Sequence, residues 1–87
     1  MERSAIAEKL VEIVRPYVPE PELLTQLDEG SDFLKDLKIN SAHMIDVVLD
    51  VEEAFDIEIS DEAAEALQTV GQAIDLILSQ AGASSGH

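Results

Sequence analysis

Apolar residues near the start of the chain recur with the period of an α-helix. They follow Ser4 at spacings of three and four, which is typical of an amphipathic helix, and they are Ile6, Leu10, Ile13, Val14 and Tyr17. Ser4 is the predicted N-cap, because a serine side chain can accept a hydrogen bond from a free amide in the first turn. Pro16 should end or bend this helix near Arg15, because proline lacks the amide hydrogen that a helix needs.

A long connection is predicted over residues 16–40, which contain Pro16, Pro19, Pro21 and Gly30. A structureless loop of this length is unusual in a small domain, so apolar anchors are expected within it. The first predicted anchor is one turn after Pro21, formed by Leu23, Leu24 and Leu27. The second is a turn capped by Ser31, with the apolar residues Phe33, Leu34 and Leu37.

A second helix is predicted to start at Asn40 and Ser41 and to run to about Phe55. On a helical wheel, five apolar residues of this segment fall within an arc of about 100°, wide enough for a core face. They are Met44, Val47, Val48, Val51 and Phe55. Ile45 and Leu49 lie outside this arc, so we expect them to be exposed. They are flanked by the acidic residues Asp46, Asp50, Glu52 and Glu53.

The remaining segment predicts an extended link and two further helices. Residues 56–59 alternate like a strand, but four residues without a pairing partner indicate a lone link. Ser60 should cap a short helix that extends through Ala63, Ala64 and Leu67. Thr69 and Gln72 fit a capping box, which opens a last helix with the apolar residues Val70, Ala73, Ile74, Ile77 and Leu78. We expect this helix to stop at Gly82.

The length of 87 residues predicts one domain, over residues 1–80, followed by a disordered or non-native tail over 81–87. The chain has no cysteine, which excludes disulfides, thiolate metal sites and a cysteine nucleophile, so thiol chemistry would need an imported group. The net charge is −14, and Lys and Arg are confined to residues 1–38. Such a charge opposes binding to nucleic acids or membranes and favours a monomer. With neither a signal peptide nor an apolar span, the expected location is cytoplasmic.

Ser41 has two interpretations. It, or the adjacent Asn40, can be an ordinary helix cap. Alternatively, the free amides and positive dipole end of a helix start favour a phosphate attached to the Ser41 hydroxyl. Catalysis by Ser41 is disfavoured, because His43 lies about 200° around the helix and cannot easily take the serine proton. His43 is therefore expected to be a surface residue, and His87 lies in the predicted tail.

Two further features of the acidic second half bear on metal binding and on partner binding. Asp56, Glu58 and Ser60 match the first ligand positions of a calcium loop, but Asp61 and Leu67 replace the glycine and glutamate that such a loop needs, so no specific metal site is predicted. The exposed Ile45 and Leu49 among carboxylates have an open interpretation. They form either an ordinary solvated face or a contact for a partner with a basic rim.

The chain resembles an acyl carrier protein, most strongly from Asn40 to Ile77 and in outline from Ser4 to about Gln80. The similarity rests on Asn40-Ser41-Ala42, on the helix that follows to Phe55, on the segment 56–62 and on Thr69-Val70. The family's attachment motif is usually Asp-Ser-Leu, and its serine falls on Ser41. The resemblance implies an all-α four-helix bundle with three longer helices, one short helix and a long first loop. It also implies that a phosphopantetheinyl transferase attaches 4′-phosphopantetheine to Ser41, and that the arm holds acyl or aminoacyl groups as thioesters.

The resemblance further implies a non-enzymatic carrier, with no catalytic residues, that docks on acyl-transferring or acyl-activating enzymes with basic patches, as in fatty acid biosynthesis. The resemblance implies that the positions at which the family contacts its partners correspond here to Asn40, Ala42, Ile45, Asp46, Leu49, Glu52 and Glu53. The sequence departs from the family pattern at Asn40, Ala42 and His43, where Asp, Leu and an acid are usual, which suggests a specialised carrier. The main alternative is an acidic helical adaptor or inhibitor without a prosthetic group; a small hydrolase ranks third.

Overall fold

The computed structural model describes residues 2–85, with side chains through Gln80. Three longer helices and two short ones form the fold: α1 (Arg3–Val14), α2 (Glu22–Thr25), α3 (Met44–Phe55), α4 (Asp61–Ala66) and α5 (Val70–Ser85). Two short 3₁₀ turns, Arg15–Tyr17 and Ser41–His43, lie after α1 and before α3. The predicted all-α fold with a long first loop is therefore confirmed, and α2 is the apolar turn expected after Pro21.

The long loop between α2 and α3 is attached to the start of α5 by backbone hydrogen bonds. The amide of Phe33 donates to the carbonyl of Gln68 at 2.9 Å, and the amide of Val70 donates to the carbonyl of Ser31 at 3.0 Å. Phe33 and Leu37 are buried as predicted, in a core where α1 packs against α3 and α5. Burial of these loop side chains explains how so long a connection is ordered, because removing apolar surface from water stabilises it.

Two predicted caps and one predicted helix end are wrong. The first helix begins at Arg3, before Ser4, and Glu2 precedes it without a side-chain cap hydrogen bond. The Arg3 guanidinium pairs with Glu29 and Asp75 and so holds the first turn from outside. The turn after Ser31 is capped by Asp32, whose carboxylate accepts from the amides of Leu34 at 2.8 Å and Lys35 at 2.9 Å. The Ser31 hydroxyl instead accepts from the amide of Asp28.

The third error concerns the end of the chain. Helix α5 continues past Gly82 to Ser85, because the neighbouring alanines are the strongest helix formers and offset the cost of one glycine. The predicted tail over residues 81–87 stays a prediction, and Gly86 and His87 lie outside the described residues. Within residues 2–85, no helix has the length and apolar character needed to cross a membrane.

The remaining boundaries agree with the predictions, except that the α-helix expected from Asn40 and Ser41 begins at Met44, because Ser41–His43 form a 3₁₀ turn. Pro16 lies in the 3₁₀ turn that follows α1. Residues 57–60 form the extended link, and the Ser60 hydroxyl accepts from the amide of Ala63 at 3.1 Å, as expected of a cap. Helix α3 ends at Phe55, and the C-cap residue Asp56 adopts a left-handed conformation with φ of 53°. This left-handed residue turns the chain at the end of α3, before the link that leads to α4.

Candidate functional site

The start of α3 is held between two buried anchors. Ile39 is buried, and its amide donates to the carbonyl of Phe33 at 3.0 Å. Val47, Val48 and Val51 are buried on the core face of α3, as the helical wheel predicts. The 3₁₀ turn Ser41–His43 therefore lies on the surface between fixed points, which gives the side chains of this turn a defined position.

Asn40 caps the turn that contains Ser41. Its backbone is extended, and its side-chain oxygen accepts from the amide of Ala42 at 2.8 Å. Ser41 is exposed, and among residues 2–85 its hydroxyl makes no hydrogen bond. The cap is thus the adjacent asparagine, one of the two residues that the sequence offered.

Two other serines show how Ser41 differs. Ser60 is also exposed and also lies at a helix start, but its hydroxyl accepts from the amide of Ala63. Ser31 is buried, and its hydroxyl is bound to the amide of Asp28. Ser41 combines exposure with a hydroxyl free of these structural duties, so a group attached there displaces no hydrogen bond of the fold.

An apolar cleft of about 360 Å³ lies between α3 and α4, and Ser41 is one of its lining residues. The apolar side chains of α3 and its neighbours face each other across it: Leu34, Met44, Ile45, Val48, Leu49, Ile59, Ala64 and Leu67. Three carboxylates, of Glu52, Asp61 and Glu65, also line the cleft. The cleft can therefore accept an apolar group that starts at the Ser41 hydroxyl.

The side chains predicted to contact partners lie on the outer face of α3 and its first turn. Ile45 is 69% exposed and Leu49 is 53% exposed, which confirms the helical wheel. Asn40, Ala42, Asp46 and Glu53 are exposed as well. Glu52 differs, because it is half-buried and its carboxylate accepts from the amide of Ile59 at 3.0 Å. This acid holds the extended link against α3.

His43 is a surface residue, as predicted, and it faces the end of α1. Its ring lies 5.6 Å from the ring of Tyr17, measured between centroids, and its Nδ1 lies 3.8 Å from a carboxylate oxygen of Asp46. The Tyr17 hydroxyl donates to Asp50 at 2.8 Å, and this hydrogen bond raises the pKa of Tyr17. In a 3₁₀ turn, residues two apart point in directions about 240° apart, so His43 is directed away from Ser41.

Leu34 is the cleft residue that the sequence did not reveal. The turn pattern groups it with Phe33 and Leu37, but it is 47% exposed and lines the cleft opposite α3. The sequence pattern does not separate Leu34 from its two buried neighbours, because its exposure depends on how the loop packs. Within the described part of the chain, no group of acidic or histidine side chains is arranged to hold a metal ion.

Comparison with known proteins defines the class of this site. Residues 8–77 match the family described as a phosphopantetheine attachment site. An acyl carrier protein of Phenylobacterium zucineum (strain HLK1) is 40% identical over 81 residues, which cover 92% of this chain and 99% of that protein. The crystal structure of an acyl carrier protein from Thermotoga maritima aligns with a TM-score of 0.78 and 27% identity, over 97% of this chain and 95% of that chain.

These similarities define a phosphopantetheine-binding carrier domain. The chain belongs to the acyl carrier protein family, and it is a carrier and not an enzyme. It contains a phosphopantetheine attachment site, in agreement with the cofactor that the resemblance implied.

Proposed function

We propose that the chain carries acyl groups as thioesters on a 4′-phosphopantetheine arm attached to Ser41. The observation that supports this assignment best is the Ser41 hydroxyl itself, which is exposed, free of hydrogen bonds within the described residues and placed at an apolar cleft. The matched family region, residues 8–77, includes this serine. When bound, the arm supplies the thiol that a chain without cysteine lacks.

The residues around Ser41 have distinct roles in this proposal. Asn40 keeps the turn in shape, so the modifying enzyme meets a preformed loop with an accessible hydroxyl. The helix start favours the negative charge of the phosphodiester, because its amides point toward that end. Val48, Ala64 and Leu67 form apolar walls that can shield the acyl part of the cargo from water.

The outer face of α3 is the proposed docking surface, defined here as Asn40, Ala42, Ile45, Asp46, Leu49, Glu52 and Glu53. Its exposed apolar centre is Ile45 and Leu49, and its acidic rim suits a phosphopantetheinyl transferase and acyl-transferring or acyl-activating enzymes with basic patches. Glu52 contributes mainly by holding the link below this surface. Compared with the usual family pattern, the neighbourhood of Ser41 is less acidic and less apolar, because it contains Asn40, Ala42 and His43. This difference supports a role in a dedicated pathway rather than in general fatty acid biosynthesis.

Incubation with coenzyme A and a broad-specificity phosphopantetheinyl transferase, followed by mass spectrometry, tests the attachment. We expect the wild-type chain to gain one phosphopantetheine and Ser41→Ala to gain none. Ser60→Ala is the matched control, because it removes another exposed serine hydroxyl at a helix start and should be modified like the wild type. A wild-type chain that gains nothing would favour the acidic adaptor, in which Ile45 and Leu49 are the whole site.

Amide chemical shifts of the holo and acylated forms test the use of the cleft. We expect shifts at Val48, Ala64 and Leu67 when an acyl chain is attached. Val14 is a suitable reference, because it is buried in α1 and is not a lining residue of the cleft. Unchanged shifts at all three cleft residues would show that the cargo stays outside.

A further inference from the structure

His43 lies at the edge of the docking surface nearest the attachment serine. It is two residues after Ser41 and three before Asp46, and its side chain is 52% exposed. The imidazole Nδ1 is 3.8 Å from Asp46 Oδ2, close enough for an ion pair once the ring is protonated. Histidine is the side chain whose charge ordinarily changes between pH 5 and 8, so this pair adds a variable charge to an otherwise acidic face.

The charged and titratable groups around His43 determine which interaction is altered when the imidazole is protonated. The 3₁₀ turn after α1 presents the ring of Tyr17, and the same turn contains the exposed Arg15. Asp50 accepts from the Tyr17 hydroxyl at 2.8 Å, and the carboxylate paired with the imidazole, at 3.8 Å from Nδ1, is that of Asp46. The hydrogen bond to Asp50 raises the pKa of Tyr17 further above neutrality. Asp46 is therefore the carboxylate whose charge a proton on His43 would offset.

We infer that His43 is a specificity-determining residue that makes docking on basic partner enzymes dependent on pH. With the imidazole neutral, Asp46 is available to a basic partner. With the imidazole protonated, its charge offsets that of Asp46 and repels the partner's cations, so the complex weakens. The inference rests on the proposed docking surface and adds a regulatory property to it.

The test measures the dissociation constant between the apo chain and a phosphopantetheinyl transferase, without coenzyme A, at pH 7.5 and pH 5.8. His43→Gln keeps a polar side chain but cannot take a proton, and His43→Asn is a second variant of the same kind. Titration of the transferase affects all three chains alike, so it cancels in the comparison. We expect acidification to weaken wild-type binding about fivefold more than it weakens binding of either variant, the size expected for one added charge contact in a solvated interface.

The variant Leu49→Ala, measured at pH 7.5, distinguishes a failure of the proposed docking surface from a failure of the role inferred for His43. If Leu49→Ala binds as tightly as the wild type, the docking surface is wrong and the inference fails with it. If Leu49→Ala binds more weakly, yet the wild type and both His43 variants respond equally to pH, the docking surface stands and the role of His43 is overturned. Circular dichroism at both pH values checks that each chain is folded when it is measured.

Discussion

The side-chain oxygen of Asn40 lies 2.8 Å from the amide nitrogen of Ala42, so the residue before Ser41 caps the turn that leads into α3. This relationship separates two duties that a single serine often combines. Asn40 satisfies the free amide, and Ser41 keeps an exposed hydroxyl. Attachment of a large group to Ser41 should therefore leave the fold undisturbed.

Substitution of the two residues should affect stability very differently. Asn40→Ala removes the cap and should lower the free energy of unfolding by about 1 kcal/mol. Ser41→Ala removes an exposed hydroxyl without a partner and should change it by less than about 0.5 kcal/mol. Urea denaturation followed by circular dichroism measures both. A larger loss for Ser41→Ala than for Asn40→Ala would show that the serine is the cap.

Lys38 occupies a backbone conformation that favours glycine. Its φ is 58°, in the left-handed region where a Cβ crowds the backbone. We expect Lys38→Gly to raise the free energy of unfolding by about 0.5–1 kcal/mol, because the relief of crowding exceeds the added freedom of the unfolded chain.

Lys35→Gly is the control for Lys38→Gly, since it removes the same charge in the same loop at a residue without a positive φ. It should lower the thermal midpoint, whereas Lys38→Gly should raise it. Equal shifts of the same sign would mean that charge, and not backbone conformation, determines the effect.

Gly71 allows the loop to approach α5. A Cβ at this position would lie 2.9 Å from the carbonyl oxygen of Glu29, and that oxygen cannot retreat freely because it accepts from the Gly71 amide at 2.8 Å. Gly71→Ala should therefore destabilise the fold by about 1–2 kcal/mol, despite the better helix propensity of alanine.

Gly30→Ala provides the matched comparison for Gly71→Ala. An added Cβ there lies 3.3 Å from Asp28 Oδ1, which accepts from the Gly30 amide at 2.8 Å but belongs to a side chain that can rotate, unlike the backbone oxygen of Glu29. Thermal unfolding should show a loss confined to Gly71→Ala. Similar losses at both positions would argue against the close approach of loop and helix.

Val48 and Leu49 are adjacent on α3 but should respond in opposite ways. Val48 is buried, so Val48→Ala should lower the free energy of unfolding by about 2 kcal/mol. Leu49 is exposed, so Leu49→Ala should leave stability within about 0.5 kcal/mol and weaken binding to the transferase. Urea denaturation and transferase binding, measured on the same samples, test this difference between the two variants. A marked loss of stability in Leu49→Ala would place that side chain in the core.

Local patterns in the sequence predicted those features that neighbouring residues determine. Thr69 and Gln72 form the expected capping box, with reciprocal hydrogen bonds at 3.1 and 3.2 Å. The division of α3 into a buried and an exposed face follows from helical periodicity alone. Both features depend on residues three or four positions apart, which a single sequence displays directly.

Features that depend on distant contacts were missed or misassigned. The predicted cap at Ser4 is wrong because α1 already begins at Arg3, whose guanidinium pairs with Glu29 and Asp75 from other parts of the chain. The exposure of Leu34 depends on how its loop packs beside α3 and α4. The structural role of Glu52 depends on the extended link 57–60 passing close enough to α3 for the Ile59 amide to reach its carboxylate. No spacing in the sequence encodes these approaches, since each joins segments whose relative position is set by the whole core.

The most direct test of the central claim is peptide mapping of the chain isolated from its own host. After proteolysis, tandem mass spectrometry locates any modification on the peptide that contains Ser41. The account predicts one phosphopantetheine on the Ser41 oxygen, with or without an acyl group on its thiol. A chain that is fully unmodified in its host, or one that bears the group on a different serine, would contradict it.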